Sequence, residues 1–146
     1  MRYAALLACL LFASCNKPQD PGDFNTTDLT LPGGQVIKVE TMIRQLDLGR
    51  GLKYRPSLAP DHGMLFVHYT PGYYRYWMYQ ILVPLDIIWL DSDRKIVQMV
   101  LSVQPCGADP NACPQYGSAR PAHYVVELAG GTAKKYHLQV GQQLNW

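Results

Sequence analysis

A carboxylate stands inside an apolar run: Asp86, within residues 84–90 (PLDIIWL). A charge there is costly unless it is paired or accepts several hydrogen bonds. Strand alternation sets Leu85, Ile87 and Trp89 on one face and Asp86, Ile88 and Leu90 on the other. Two roles follow. Asp86 either accepts backbone N–H groups or pairs with Arg50 or Arg55, tying a loop to a sheet. Or Asp86 and an arginine, with Trp77 beside them, form the polar floor of a ligand site. Structural ion-pair networks are the commoner outcome for such a carboxylate. A second constellation is aromatic: Tyr69, Tyr73, Tyr74, Tyr76, Trp77 and Tyr79 crowd into residues 69–79. Exposed rings are rigid and amphipathic and suit sugars or partner proteins, which makes Tyr73, Tyr74 and Tyr76 candidates for a recognition surface. Packed rings would serve the core instead.

Other side chains lack the spacing their chemistry needs. His62, His68, His123 and His137 form no helical i,i+4 pair, so no metal site is expected. His62 sits in a Pro-Asp-His-Gly turn and is expected to be exposed. Ser57, Ser92, Ser102 and Ser118 lack a G-x-S-x-G context, and Gly130-Gly131-Thr132 lacks the lysine of a phosphate loop. Asp61, Asp86 and Glu127 would make a glycosidase pair only if the fold brought two carboxyls within roughly 5–10 Å. No cofactor is expected.

The cysteines carry two separate chemistries. Met1-Arg2 and the apolar run at residues 4–13 form a signal-peptide core, since such a helix spans roughly 15 Å, about half a bilayer's hydrocarbon. The run ends in Phe12-Ala13-Ser14-Cys15, which resembles the bacterial lipobox. Residues 1–14 are thus expected to be removed, and Cys15 to become the acylated first residue, carrying palmitate-type chains into a membrane. Two or more such chains anchor a protein stably, where one does not. Cys9 leaves with the signal, so Cys106 and Cys113 remain. They bracket a Gly, Pro, Asn and Asp loop in an exported chain, which reads as a disulfide. Their spacing fits neither the C-x-x-C of redox motifs nor the short spacings of zinc sites.

Residues 15–27 (with NKPQDPGDFNTT after Cys15) cannot bury enough apolar surface to order themselves and read as a flexible tether. Residues 28–146 suffice for one domain with a core. The mature chain keeps all but Arg2 of its 13 Lys and Arg, against 11 Asp and Glu. This near balance, with no basic run, argues against nucleic acid as a partner. Strand signals dominate: a hairpin at 29–40 around Pro32-Gly33-Gly34, strands at 64–67, 73–77 and 123–128, and a hairpin of 85–90 with 95–103 around Asp91-Ser92-Asp93-Arg94. Residues 44–52 allow one or two helical turns ended by Gly49 or Gly51, and Thr70-Pro71-Gly72 reads as a turn. Thr132 is placed to cap a short helix, and a last strand should end at Trp146. The predicted fold is mostly β, a β-sandwich, jelly-roll-like or barrel-like, with one or two short helices.

The ordered blocks Arg50-Gly51-Leu52, Gly63-Met64-Leu65-Phe66, Trp77-Met78 and Pro84-Leu85-Asp86 resemble the Domain of Unknown Function 192 family. So do Pro105-Cys106, residues 124–128 (YVVEL) and Val140-Gly141. The resemblance covers residues 35–144. This chain departs at Lys53, where relatives usually have Met, and at Tyr79-Gln80-Ile81, where they have Lys-Asn-Thr. It also lacks most of the acidic helix before Arg50. The resemblance implies a compact jelly-roll-like β fold and no established activity or cofactor. The expected function is a non-catalytic binding or interaction module on an envelope lipoprotein facing the periplasm or exterior, with a glycan or envelope protein as partner. The alternatives are an envelope hydrolase using Asp86 with Arg50 or Arg55, and a purely structural lipoprotein that braces the envelope.

Overall fold

Alternating apolar residues and turn formers divide the chain into short strands. A computed structural model describes residues 25–107 and 109–146. The expected signal peptide, Cys15 and the tether up to residue 24 lie outside the described residues. The elements are β1 (Thr26–Thr30), β2 (Val36–Met42), α1 (Gln45–Arg50), β3 (His62–Gly72), β4 (Arg75–Trp77), β5 (Leu85–Leu90), β6 (Ile96–Val103), β7 (Gln115–Gly117), β8 (Ala122–Ala129) and α2 (Thr132–Lys135). The mostly β class with two short helices is therefore observed.

Six strands form one mixed sheet in the order β1-β2-β3-β8-β5-β6, and β4 pairs with β7 in a second, small sheet. The β2–β3 pair is parallel, so its connection must cross over, and α1 lies within that connection. The other pairs are antiparallel. The large sheet is open, which corrects the barrel-like alternative: β1 and β6 are its two edges and do not pair with each other. The chain's end bridges one corner between them. Thr30 and Asn145 exchange N–H···O bonds of 2.7 and 3.1 Å, and the Ile96 N–H donates to Gln142 O at 2.8 Å. These are isolated bridges rather than the expected last strand.

Both faces of the sheet are covered, so β5 is buried at every position. One face packs Ile37, Val39, Leu65, Ile88, Val126 and Leu128 against Ala133, Leu138 and Leu144 from α2 and the C-terminal segment. The other packs Met64, Phe66, Ile87, Trp89 and Val125 against Leu52, Met78 and Ile81.

Three local expectations need correction. Thr26 and Thr27, assigned to the tether, belong to β1, because Thr26 pairs with Glu40 and Thr27 with Val39. Thr70-Pro71-Gly72 is the end of β3 and not a turn. The register shifts between Val67 and Gly72, and in that bulged stretch Pro71 is not called on for a ladder N–H. Finally, Thr132 does not cap α2. Gly131, at φ 90°, holds the cap position with no side-chain bond of its own.

The disulfide between Cys106 and Cys113 is formed, with Cα atoms 5.2 Å apart. On loop-closure entropy it contributes about 2–3 kcal/mol. It closes the loop between β6 and β7, and Gly117 and Gln115 of β7 pair with Arg75 and Trp77 of β4.

A candidate ligand cavity beside α1

Alternation along β8 puts Val125 and Glu127 on one face, opposite Val126 and Leu128. Val125 is core, so Glu127 is carried inward with it. Glu127 pairs with Met64 of β3 and Ile87 of β5. Gly63 permits the close approach of β3: a Cβ there would sit 2.6 Å from Glu127 O. The Glu127 carboxyl is buried, and its Oε2 has no hydrogen-bond partner. Burial pushes its pKa up to about 8, because desolvation penalises the charged form. At neutral pH it is mostly a neutral acid.

Beside it on the same face stands His68 of β3. Its Nε2 lies 3.1 Å from Tyr76 Oη, and its ring stacks on Tyr74 with centroids 3.4 Å apart. The Tyr74 hydroxyl donates to Thr70 O at 2.5 Å, which holds that ring in place. Burial, and then His123, bring the His68 pKa down to about 4, so the imidazole is neutral at pH 7. Burial, Glu127 and Tyr74 together raise Tyr76 well above its usual value. Tyr76 is also wedged edge-on against Phe66 and Trp89, at 5.1 and 6.1 Å between centroids. The Trp89 indole N–H donates to Tyr74 O at 2.9 Å, which ties this layer to the buried strand β5.

Phe66, His68, Tyr74, Tyr76 and Glu127 line a cavity of about 420 Å³ between α1, β3 and β4. Its walls include Leu48, Leu52, Phe66, Trp77 and Ile81, and its charged lining residues besides Glu127 are Arg50, Lys53 and Arg75. The structure thus gathers a neutral hydrogen-bonding floor, apolar walls and basic side chains. Among the described residues no group of three or more His, Cys, Asp and Glu could hold a metal ion. No described helix is long and apolar enough to cross a membrane.

Of the residues picked out in sequence, Arg50 and Trp77 meet in this cavity, and Asp86 and Arg55 do not. Asp86 lies on the opposite face of the sheet, fully buried. Its Oδ1 accepts from the backbone N–H of Ser102 (2.7 Å) and Gly131 (3.1 Å), and its Oδ2 from Ala133 (2.7 Å). Arg55 pairs instead with Glu40 through two contacts, Nη2 to Oε2 being 2.6 Å. The proposed grouping of Asp86 with an arginine is therefore corrected. An apolar strand could accommodate the carboxylate because three backbone donors converge on it. A carboxylate pair is not formed either, since Asp86 and Glu127 face opposite ways and Asp61 is exposed beside His62. The aromatic candidates separate: Tyr73 is exposed, while Tyr74 and Tyr76 line the cavity. Sequence reasoning placed Glu127 only in a conditional carboxylate pair and gave His68 no site role. The signal was present in their alternation with Val125 and with Phe66, both core positions.

Residues 28–146 match the model of the DUF192 family, whose description is Uncharacterized ACR. A protein of unknown function from Novosphingobium aromaticivorans DSM 12444 has a similar structure, with a TM-score of 0.75 and 25% identity, covering 87% of this chain and 90% of that one. A candidate transcription regulator from Sinorhizobium meliloti 1021 is also similar, with a TM-score of 0.71 and 30% identity, covering 81% and 89%. No curated protein matches the chain.

Proposed function

The chain belongs to the DUF192 family, and from that premise we propose that it is a cell-envelope lipoprotein, anchored through Cys15, whose domain is a non-catalytic module that binds a small molecule in the cavity between α1, β3 and β4. One observation carries the binding part: Glu127 lines the cavity, and its Oε2 is buried and unpartnered. Leaving a buried polar atom unsatisfied costs about 1–3 kcal/mol, and an occupant that hydrogen-bonds it recovers that cost. The volume, about 420 Å³, falls in the range of roughly 300–1,000 Å³ typical of small-molecule sites. A purely bracing role would leave this arrangement without a purpose. The hydrolase reading loses its named residue, because both Asp86 oxygens are taken by backbone donors. A formal charge of +2 without a basic run speaks against nucleic acid as the partner.

Two measurements test this reading. The chain from residue 15 onward, carrying Cys15→Ser to block acylation, is titrated by NMR with a library of small polar and aromatic fragments. Binders are expected to shift the signals of Phe66, His68, Trp77 and Glu127 together. A library that leaves all four unmoved overturns the binding role. In cells, the wild-type chain is expected to take up labelled palmitate and sediment with membranes, and Cys15→Ser to do neither. A Cys15→Ser protein that still partitions fully with membranes overturns the anchor.

A further inference from the structure

The charge around the Glu127 cavity discriminates among ligands. Of the lining residues, Arg50, Lys53 and Arg75 are basic and Glu127 is the one acid. Nearby carboxylates are already engaged: Asp47 with Arg44, Glu40 with Arg55, and Asp86 with three backbone N–H groups on the other face. Lys53 and Arg75, on which the inference rests, make no ion pair among the described residues. Lys53 Nζ lies 5.6 Å from the centre of the Tyr79 ring, and Arg75 is exposed. The floor is uncharged, formed by the His68–Tyr76 pair and the Glu127 carboxyl with its unpartnered Oε2. A cationic ligand would meet like charge from the basic residues. An anion would meet attraction strengthened by the low-dielectric walls. The walls between are aromatic and aliphatic, through Phe66, Trp77 and Leu52.

We propose that the cavity takes a small organic anion: its carboxylate lies by Lys53 and Arg75, a planar apolar body lies along Phe66 and Trp77, and a hydroxyl or similar uncharged polar group meets Glu127 and Tyr76. This rests on the binding reading above and adds the ligand class. Three probes of one shape separate the two claims: 4-hydroxybenzoate, 4-hydroxybenzamide and 4-hydroxybenzamidine, which are anionic, neutral and cationic. Each is titrated at pH 7 and low salt by calorimetry and NMR into the chain from residue 15 onward carrying Cys15→Ser. The benzoate is expected to bind about tenfold tighter than the amide, an advantage that shrinks with added salt. Lys53→Gln and Arg75→Gln are expected to lower the benzoate affinity severalfold and the amide affinity much less, with the fold checked by circular dichroism. If the amide or the amidine binds as tightly as the benzoate, the cavity is a ligand site but the anion class is wrong. If none of the three moves a cavity residue, the anion proposal is overturned, and failure of the wider fragment library as well overturns the binding role.

Discussion

Replacing Asp86 with alanine is expected to destabilise the domain by about 3–5 kcal/mol, since three buried or half-buried N–H donors lose their acceptor at once and each orphaned donor costs about 1–3 kcal/mol. The carboxylate joins three places distant in sequence. Gly131 and Ala133 are the start of α2, and Ser102 lies in β6. Ser102 has a positive φ of 50°, so Asp86 also holds a non-glycine residue in strained backbone that would relax without it. Asp86→Asn keeps the shape but turns an NH₂ toward donors, and is expected to lose less than Asp86→Ala. Domains of this kind are stable by about 5–15 kcal/mol in total, so the alanine variant should be partly unfolded at growth temperature. Urea unfolding measures the effect. A loss under about 1 kcal/mol in Asp86→Ala would mean that the three N–H groups find other acceptors. Because Asp86 faces away from the cavity, the folded fraction should retain ligand affinity.

Glu127 is expected to give the stability a distinctive pH dependence. Its folded pKa of about 8 lies above the reference value of 4.5. Between these values the folded state holds a proton that the unfolded state has released. Stability is therefore fully present below about pH 4.5 and falls as pH rises through about 8, by on the order of several kcal/mol in all. His68 acts with the opposite sign. Its folded pKa of about 4 lies below the reference 6.5, so it makes stability rise between those values. The two slopes oppose each other up to about pH 6.5, and the visible decline is expected from about pH 6.5 to 8. Glu127→Gln should abolish that decline and leave the variant more stable than the wild type at pH 8 and above. Unfolding midpoints measured from pH 5 to 9 read this directly. A wild-type curve that stays flat from pH 6.5 to 8, or a Glu127→Gln curve that falls in parallel with it, would show that Glu127 is ionised in the folded protein.

Local features were legible because their causes are local. The β5–β6 hairpin follows from two apolar runs around Asp91-Ser92-Asp93-Arg94, and the turn shows it: Asp91 Oδ1 accepts from the N–H groups of Asp93 and Lys95 at 2.9 Å each. The end of α1 follows from Gly51, whose φ is 50°. The Cys106–Cys113 bond follows from short spacing around a turn-forming loop. That Asp86 would need several hydrogen bonds was also readable, although its partners were not, because they come from β6 and α2. The cavity was not legible. Glu127, His68 and Tyr76 are brought together by β8 pairing with β3 and by β4 packing over that face, and no sequence pattern specifies the strand order. Thr132 misled for a related reason: a hydroxyl at the right position is a plausible cap until a carboxylate from a distant strand takes the same donors.

The strand order also sets a timetable. β8 lies between β3 and β5 but is the last strand along the chain. Until residue 129 has emerged, the β1-β2-β3 and β5-β6 pieces have nothing to join them, and the cavity lacks Glu127. A chain threaded N-terminus first through a secretion pore would cross as a pliable strand, with no finished core to jam the passage. If this domain is exported as proposed, its cavity would be completed only on the far side, after nearly every residue had arrived.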